Sequence, residues 1–316
     1  MKGGGTGMYY HSFNEEMHAR FGRKMYKLSL DSGMTCPNRD GTLGDRGCIF
    51  CDGAGAFAET GGIRTQLEAA RRRVAAKAGT GVKYIAYFQS FTNTYAPAER
   101  LRELYTEAMA PGDVVILSIA TRPDCLPENI LSLLAELNRI KPVWVELGLQ
   151  TIHPASAAYI RRGYDLPVYE DAVRRLKAAG ITVIAHQILG LPGESPQMMA
   201  ETAQYIGQSG ADGVKFHLLH VLRGTDLATD WRAGKVQVMD LESYIAALED
   251  CVRHIPREMV IHRLTGDGAK RDLLAPLWSG DKKRVLNAIH QAFLRDDVEL
   301  GSALQSESTG PARRCV

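Results

Sequence analysis

The sequence predicts an α/β fold: a partial (β/α)6 TIM-like barrel carrying a C-terminal α/β extension. Three observations carry this expectation. Short apolar runs alternate with helix-forming stretches about six times between residues 24 and 219, the pattern of βαβ units and a parallel sheet. Several runs, such as DVVILSIA at 113–120 and ITVIAHQIL at 181–189, are almost continuously apolar, as strands covered on both faces must be. The first strand–helix connection lacks a GxGxxG, which weakens a dinucleotide-binding doubly wound sheet. Right-handed crossovers then wind the repeat into a barrel, with function at the C-terminal ends of its strands.

Taken in order, residues 24–30 form a first strand and 31–60 a loop rich in Cys, Gly and Asp. Helical composition marks 64–78, and β-branched and aromatic residues mark a strand at 82–89. Residues 97–109 are helix formers with Pro at the first turn. Strands at 113–120, 143–149, 181–189 and 213–219 alternate with helices at 127–138, 167–179 and 195–208. After residue 235 the order changes to helix 240–253, a short strand in 259–264 and helix 281–295. The expected division is an N-terminal arm at 1–22, the barrel at 23–235, the extension at 236–300 and a polar, disordered tail at 301–316.

Composition narrows the class. The 316 residues are 45% hydrophobic and 23% charged, as in a globular protein with a core. Thirty-eight basic against 36 acidic residues give a charge of +2, which argues against binding nucleic acid by bulk charge alone. No run reaches the roughly 18 apolar residues of a membrane helix, and the start has no apolar signal segment. Six cysteines are too few for a disulfide scaffold. A cytoplasmic location is expected.

Three of those cysteines fall within 16 residues: Cys36, Cys48 and Cys51, spaced C-x11-C-x2-C. Clustered thiols in a reducing compartment point to metal or redox work. Structural zinc normally takes four protein ligands, with His11 or His18 as a distant fourth. A redox Cys-x-x-Cys leaves Cys36 idle. An iron–sulfur cluster on three thiolates leaves one iron open. The loop by itself leaves all three readings standing. Cys125, Cys251 and Cys315 are read as inert.

The loop resembles the radical S-adenosylmethionine (SAM) superfamily, whose signature follows strand one of a partial barrel, with an aromatic before the third cysteine, here Phe50. The longer first gap resembles the elongator-type branch. The words LDSGMTCPNRDG, YFQSFTNTYAP, IATRPD, VELGLQTIH, ILGLPGES, HLLHVLRGT and HRLTGDG resemble its bacterial YhcC/YtqA-like subgroup, from about residue 10 to 293. The resemblance implies a [4Fe–4S] cluster on Cys36, Cys48 and Cys51 whose open iron binds SAM. One electron then cleaves SAM to methionine and a 5′-deoxyadenosyl radical that takes hydrogen from substrate. It implies tRNA as partner, maturation of a 5-substituted wobble uridine (carboxymethylaminomethyl to aminomethyl), and a flavodoxin- or ferredoxin-type electron donor, with no membrane partner. Acetyl-CoA chemistry is not carried over, because no acetyltransferase segment is present. Two alternatives remain: a radical SAM enzyme acting on a small metabolite or peptide, and a zinc-stabilised RNA-binding module without catalysis.

The same resemblance distributes SAM-binding roles. Gln89, Ser90, Thr92 and Asn93 end the second strand, where relatives hold the methionyl group with a Gly-Gly-Glu that is absent here; hydroxyls and amides supply similar hydrogen bonds. Arg122 follows the third strand. Gln150 and Arg162 reproduce a Gln-x11-Arg spacing of the radical SAM coproporphyrinogen oxidases, and Glu146 and Gly148 share a strand face with Gln150. His186 stands where those oxidases have an acid near the ribose. Gly190-Leu-Pro-Gly193 is a tight turn. Lys215, His217 and Arg263 are catalytic candidates, although a lysine inside an apolar run equally fits a buried ion pair. His220, His262 and Asp267 are further pocket candidates. Arg71–Arg73 with Lys77, and Lys282–Arg284, are candidate phosphate contacts whose ordinary alternative is a solvated helix face.

Overall fold

The computed structural model describes residues 10–53, 61–78, 81–266, 268 and 270–307. In order come α1 (Phe13–Phe21), β1 (Met25–Leu30), α2 (Ile63–Ala78), β2 (Lys83–Phe88), α3 (Ala98–Met109), β3 (Val114–Thr121) and α4 (Glu128–Asn138). Then follow β4 (Val143–Gln150), α5 (Pro154–Tyr159), α6 (Leu166–Ala178), β5 (Thr182–Leu189), α7 (Pro196–Gln208), β6 (Gly213–Leu218), β7 (Val221–Leu222) and α8 (Asp226–Arg232). The C-terminal part holds α9 (Leu241–Arg253), β8 (Val260–Arg263), β9 (Leu273–Ala275), α10 (Lys282–Arg295) and α11 (Ser302–Glu307).

Seven strands form one parallel sheet in the order β1-β2-β3-β4-β5-β6-β8, curled into a partial barrel. Six come from the predicted repeat. The seventh, β8, comes from the extension and pairs with β6, so the extension widens the sheet as well as packing on it. Strands β7 and β9 make a separate antiparallel pair. Helices cover the outer face: Leu101, Leu104 and Tyr105 of α3, Leu133 and Leu134 of α4, and Leu176 of α6 are buried against the strands. Their spacing of three and four residues follows from the helical period.

Inside the curl, side chains stack in layers because strand residues point alternately in and out. The lowest layer is apolar: Met25, Ile85, Ile116, Trp144 and Ile184, closed from below by Met17 of α1. The next layer is polar and charged, and above it lies an open cavity at the C-terminal ends of the strands.

Residues 10–21, expected as part of an arm, are built into this floor. Ser12 caps α1 through a capping box with Glu15, which satisfies two helix-end donors reciprocally. Ser12 also bridges Ile261 of β8 in parallel, and the Ile261 N–H donates to His11 O at 2.8 Å. The segment therefore extends the sheet at β8 before α1 passes under the strands. The first residues of the expected tail form α11; residues 308–316, with Cys315, lie outside the described residues.

Met17 is fully buried. Met17→Ala should destabilise the fold by about 2–5 kcal/mol, the usual cost of emptying a buried site, read as a shift of the denaturant midpoint. A change within 0.5 kcal/mol would mean that α1 does not seal the floor.

Candidate active site

The cysteine loop leaves β1 at its C-terminal end and closes through short-range hydrogen bonds. Arg39 and Asp40 N–H donate to Cys36 O, Gly47 N–H donates to Asn38 O, and Cys51 N–H to Cys48 O. Three anchors fix it to the barrel. Thr92 N–H donates to Thr35 O, Ile49 N–H to Ile160 O, and Leu227 N–H to Ile49 O. Ile49 is buried with Ile160, Leu219 and Leu227. The three cysteines are free thiols and line one cavity. Burial and the neighbouring Cys51 push the Cys48 thiol up to about 11, the opposite of the lowered value a reactive Cys-x-x-Cys needs. Among the described residues no three His, Cys, Asp or Glu side chains are grouped to hold a single metal ion. Three thiols lining one cavity are a donor set that a cluster accepts.

The same cavity is bounded by strand ends. Gln89 and Thr92 line it beyond β2, and Glu146, Gly148 and Gln150 from β4. The alternation along β4 puts these last three on one side. Gln150 has a φ of +69° and follows a register shift at Gly148. Its amide folds back over Gly148, where a Cβ would stand 2.8 Å from Nε2.

Beneath the cavity one carboxylate joins six strands. Glu146 is 0% exposed. Its Oε1 accepts from Lys27 Nζ and Ser118 Oγ, both at 2.8 Å. Its Oε2 accepts from Tyr87 OH at 2.9 Å, His186 Nε2 at 2.9 Å and Lys215 Nζ. Burial pushes the Glu146 carboxyl up, but Lys215, Lys27 and His186 outweigh it and hold the group well below the usual carboxylate range. A charged carboxylate accepts only, so His186 carries its hydrogen on Nε2 and leaves Nδ1 as an acceptor. Burial brings His186 down to about 4, so the ring is neutral near pH 7. The Lys27 and Lys215 ammoniums each lie 4.5 Å from the Tyr87 ring centroid.

The other sequence candidates divide. Arg122 lines the cavity, but Nε and Nη2 bind Asp124 at 2.9 and 2.7 Å and Nη1 donates to Arg162 O. Arg162 is 5% exposed, lines the same cavity and donates through Nε and Nη1 to the carbonyls of Leu149, Thr151 and Tyr164, which braces the end of β4. Asn93 is buried and ties strand ends together, donating to Phe88 O and Ala120 O and accepting from Ser32. Ser90 is buried, and neither it nor Asn93 is among the lining residues. Lys215 is spent on Glu146 and Tyr87. His217 does line the cavity, and its buried Nε2 has no partner among the described residues. Arg263 pairs in register with Lys215, and its charge bears on Tyr87, His186 and His217. His262 faces the opposite end of the barrel, in a cavity with Trp144 and Thr182 at strand starts. Asp267 lies outside the described residues. Arg71 pairs with Asp113 before β3, also away from the mouth. Cys125 and Cys251 are buried.

Sequence reasoning missed Lys27, Tyr87, Ser118, Tyr164, Asn38 and Arg39. The first three are polar residues at inward positions of strands, a signal that period-two reading could have used. Tyr164 lines the cavity, with the Arg162 and Arg122 guanidiniums 4.7 and 5.2 Å from its ring centroid.

A partial barrel with three thiols at its mouth has the donor set of a cluster-binding enzyme, and the family comparison gives its class. The Radical SAM superfamily model matches residues 41–206 and the Radical SAM C-terminal domain residues 211–295. The chain belongs to the radical SAM superfamily, whose enzymes use a [4Fe–4S] cluster and SAM. It is 45% identical over 286 residues to the uncharacterized protein YtqA of Bacillus subtilis, covering 89% of this chain and 88% of that one. A tRNA uridine(34) acetyltransferase of Methanocaldococcus jannaschii is 28% identical over 156 residues, 48% of this chain and 28% of its own length. Among solved structures, Elp3 of Methanocaldococcus infernus superposes with a TM-score of 0.66 at 18% identity, covering 91% of this chain and 68% of that one, a likeness of fold. No helix among the described residues is long and apolar enough to cross a membrane.

Two outcomes follow from the buried layer. Lys215→Met leaves Glu146 short of its closest cation and should cost about 3–5 kcal/mol. Lys215→Met combined with Glu146→Gln should cost clearly less than the two single changes added together. Additive losses in denaturant unfolding would show that the pair is not coupled. The His186 value of about 4 lies below the 6.5 of an ordinary histidine. Its share of stability is therefore present above pH 6.5 and lost as pH falls toward 4. His186→Gln should flatten the decline in stability between pH 6.5 and 5; an unchanged slope would contradict the assignment.

Proposed function

We infer that Cys36, Cys48 and Cys51 hold the cluster, that SAM lies in the cavity beside them, and that the substrate is tRNA, at a 5-substituted wobble uridine. The observation that carries the reading is that the three thiols and the strand-end side chains Gln89, Thr92 and Gln150 line one cavity. The bound cluster and SAM together supply a 5′-deoxyadenosyl radical. This chain's residues bind, orient and exclude. His186, with Nδ1 as an acceptor, and the Gln150 amide both line this cavity. A second compartment continues past Phe50 between Ile188, Leu219 and Leu222, with His217 shared by both. That compartment would take the substrate away from water, with the His217 ring as one of its walls. Lys215 shapes the site from beneath, through Glu146 and Tyr87. Electrons come from a small flavodoxin- or ferredoxin-type protein. The partial likeness to a tRNA uridine(34) acetyltransferase supports the tRNA assignment over a small metabolite or a peptide, and membership of an enzyme superfamily sets aside the zinc-stabilised module.

Comparative nucleoside mass spectrometry of tRNA from cells with and without the gene tests the substrate. The expected result is loss of one uridine derivative in the deletion, restored by the parent gene and not by Cys36→Ala. Identical nucleoside profiles would overturn the tRNA assignment and leave the radical SAM class untouched.

A further inference from the structure

Eleven residues separate Cys36 from Cys48, and two of them turn back onto the thiols. Asn38 is buried. Its Nδ2 donates to Arg161 O at 2.7 Å and points to Cys48 Sγ at 3.5 Å. The first bond fixes the amide plane, so the N–H toward sulfur is held in place. Arg39 Nη2 donates to Cys51 O at 2.6 Å, and its charge bears on Cys51, Cys36 and Cys48. The guanidinium therefore lies on the thiol loop itself, bonded to the carbonyl of one of the three cysteines. Room for the guanidinium is made by two glycines with positive φ. A Cβ at Gly47 would stand 2.7 Å from Arg39 Nε, and one at Gly53 2.8 Å from Nη1. These glycines flank Cys48 and Cys51, so sequence and space are matched to one cation.

We propose that Asn38 and Arg39 are positioning residues that set the reduction potential of the cluster held by Cys36, Cys48 and Cys51. The proposal rests on that ligand reading. Reduction adds one electron to the cluster and breaks no bond; the electron comes from the donor protein, or from dithionite in a titration. An N–H aimed at a ligand sulfur and a nearby cation both favour the more negative, reduced state. The long spacer thus does more than span a gap: it returns a dipole and a charge to the metal site.

The test is a dye-mediated anaerobic titration with dithionite, followed by electron paramagnetic resonance, on the reconstituted full chain without SAM. Parent, Asn38→Ala, Arg39→Gln and Arg39→Lys are compared at matched iron content. Asn38→Ala and Arg39→Gln should each make the cluster about tenfold harder to reduce, a fall of about 59 mV for one electron, while Arg39→Lys stays near the parent. Unshifted midpoints in iron-loaded variants would overturn the proposal. So would failure of both Asn38→Ala and Arg39→Gln to take up iron, which would mean a role in assembly. If Asn38→Ala does not fold, the contrast between Arg39→Gln and Arg39→Lys decides. A parent that takes up no cluster overturns the ligand reading, and this proposal with it; a loaded parent with unshifted variants overturns this proposal alone.

Discussion

Glu146 is the constraint on which the site depends. One buried carboxylate accepts from side chains on five other strands: Lys27, Tyr87, Ser118, His186 and Lys215. Removing charges from water is expensive unless every lone pair and proton is met, so these six side chains hold their strands at one height. That height is the base of the cavity. Below it the interior layer is apolar and packs on Met17 of α1; above it the strand ends are free to carry chemistry. Splitting the interior this way lets a parallel sheet be stable at one end and reactive at the other.

The cysteine loop uses the same scaffold at longer range. Its anchors are backbone hydrogen bonds to Ile160, Thr92 and Leu227 and the buried side chain of Ile49. Residues from β1, β2, α5 and α8 thus meet around the thiols. Arg161 and Arg46 both pair with Asp226 at the start of α8, which fastens the outer side of the loop. Arg122 and Arg162, which by spacing alone look like anion clamps, are occupied by Asp124 and by carbonyls. The polar groups lining the cavity include the amides of Gln89 and Gln150, the hydroxyls of Thr92, Thr121 and Tyr164, the imidazoles of His186 and His217, and the guanidiniums of Arg39, Arg122 and Arg162.

Much of this was legible in the sequence. Six strand–helix units follow from periodicity, and the metal-ligand candidates from three close cysteines. Other features needed the fold. Lys27, Tyr87 and Ser118 come from three different strands, and only strand register brings them to Glu146. Lys215 was open between a catalytic candidate and a buried ion pair; the structure buries it against Glu146. Helix α1 looked like an arm because its composition is polar, yet Ser12 and Glu15 carry the capping-box spacing that marks a helix start. Strand β8 is short and sits beyond a helix, so its return to the sheet was not readable from order alone. His262 lies next to Arg263, but alternation sends neighbouring strand side chains to different places.

The most direct test of the account is metal and sulfide analysis, with Mössbauer spectroscopy, of the parent chain and Cys48→Ala after anaerobic reconstitution. The account predicts four irons and four sulfides per parent chain in a cluster with one iron distinct on SAM addition, and loss of that cluster in Cys48→Ala. A parent that retains stoichiometric zinc in place of iron, or a Cys48→Ala chain with the full cluster, would contradict it.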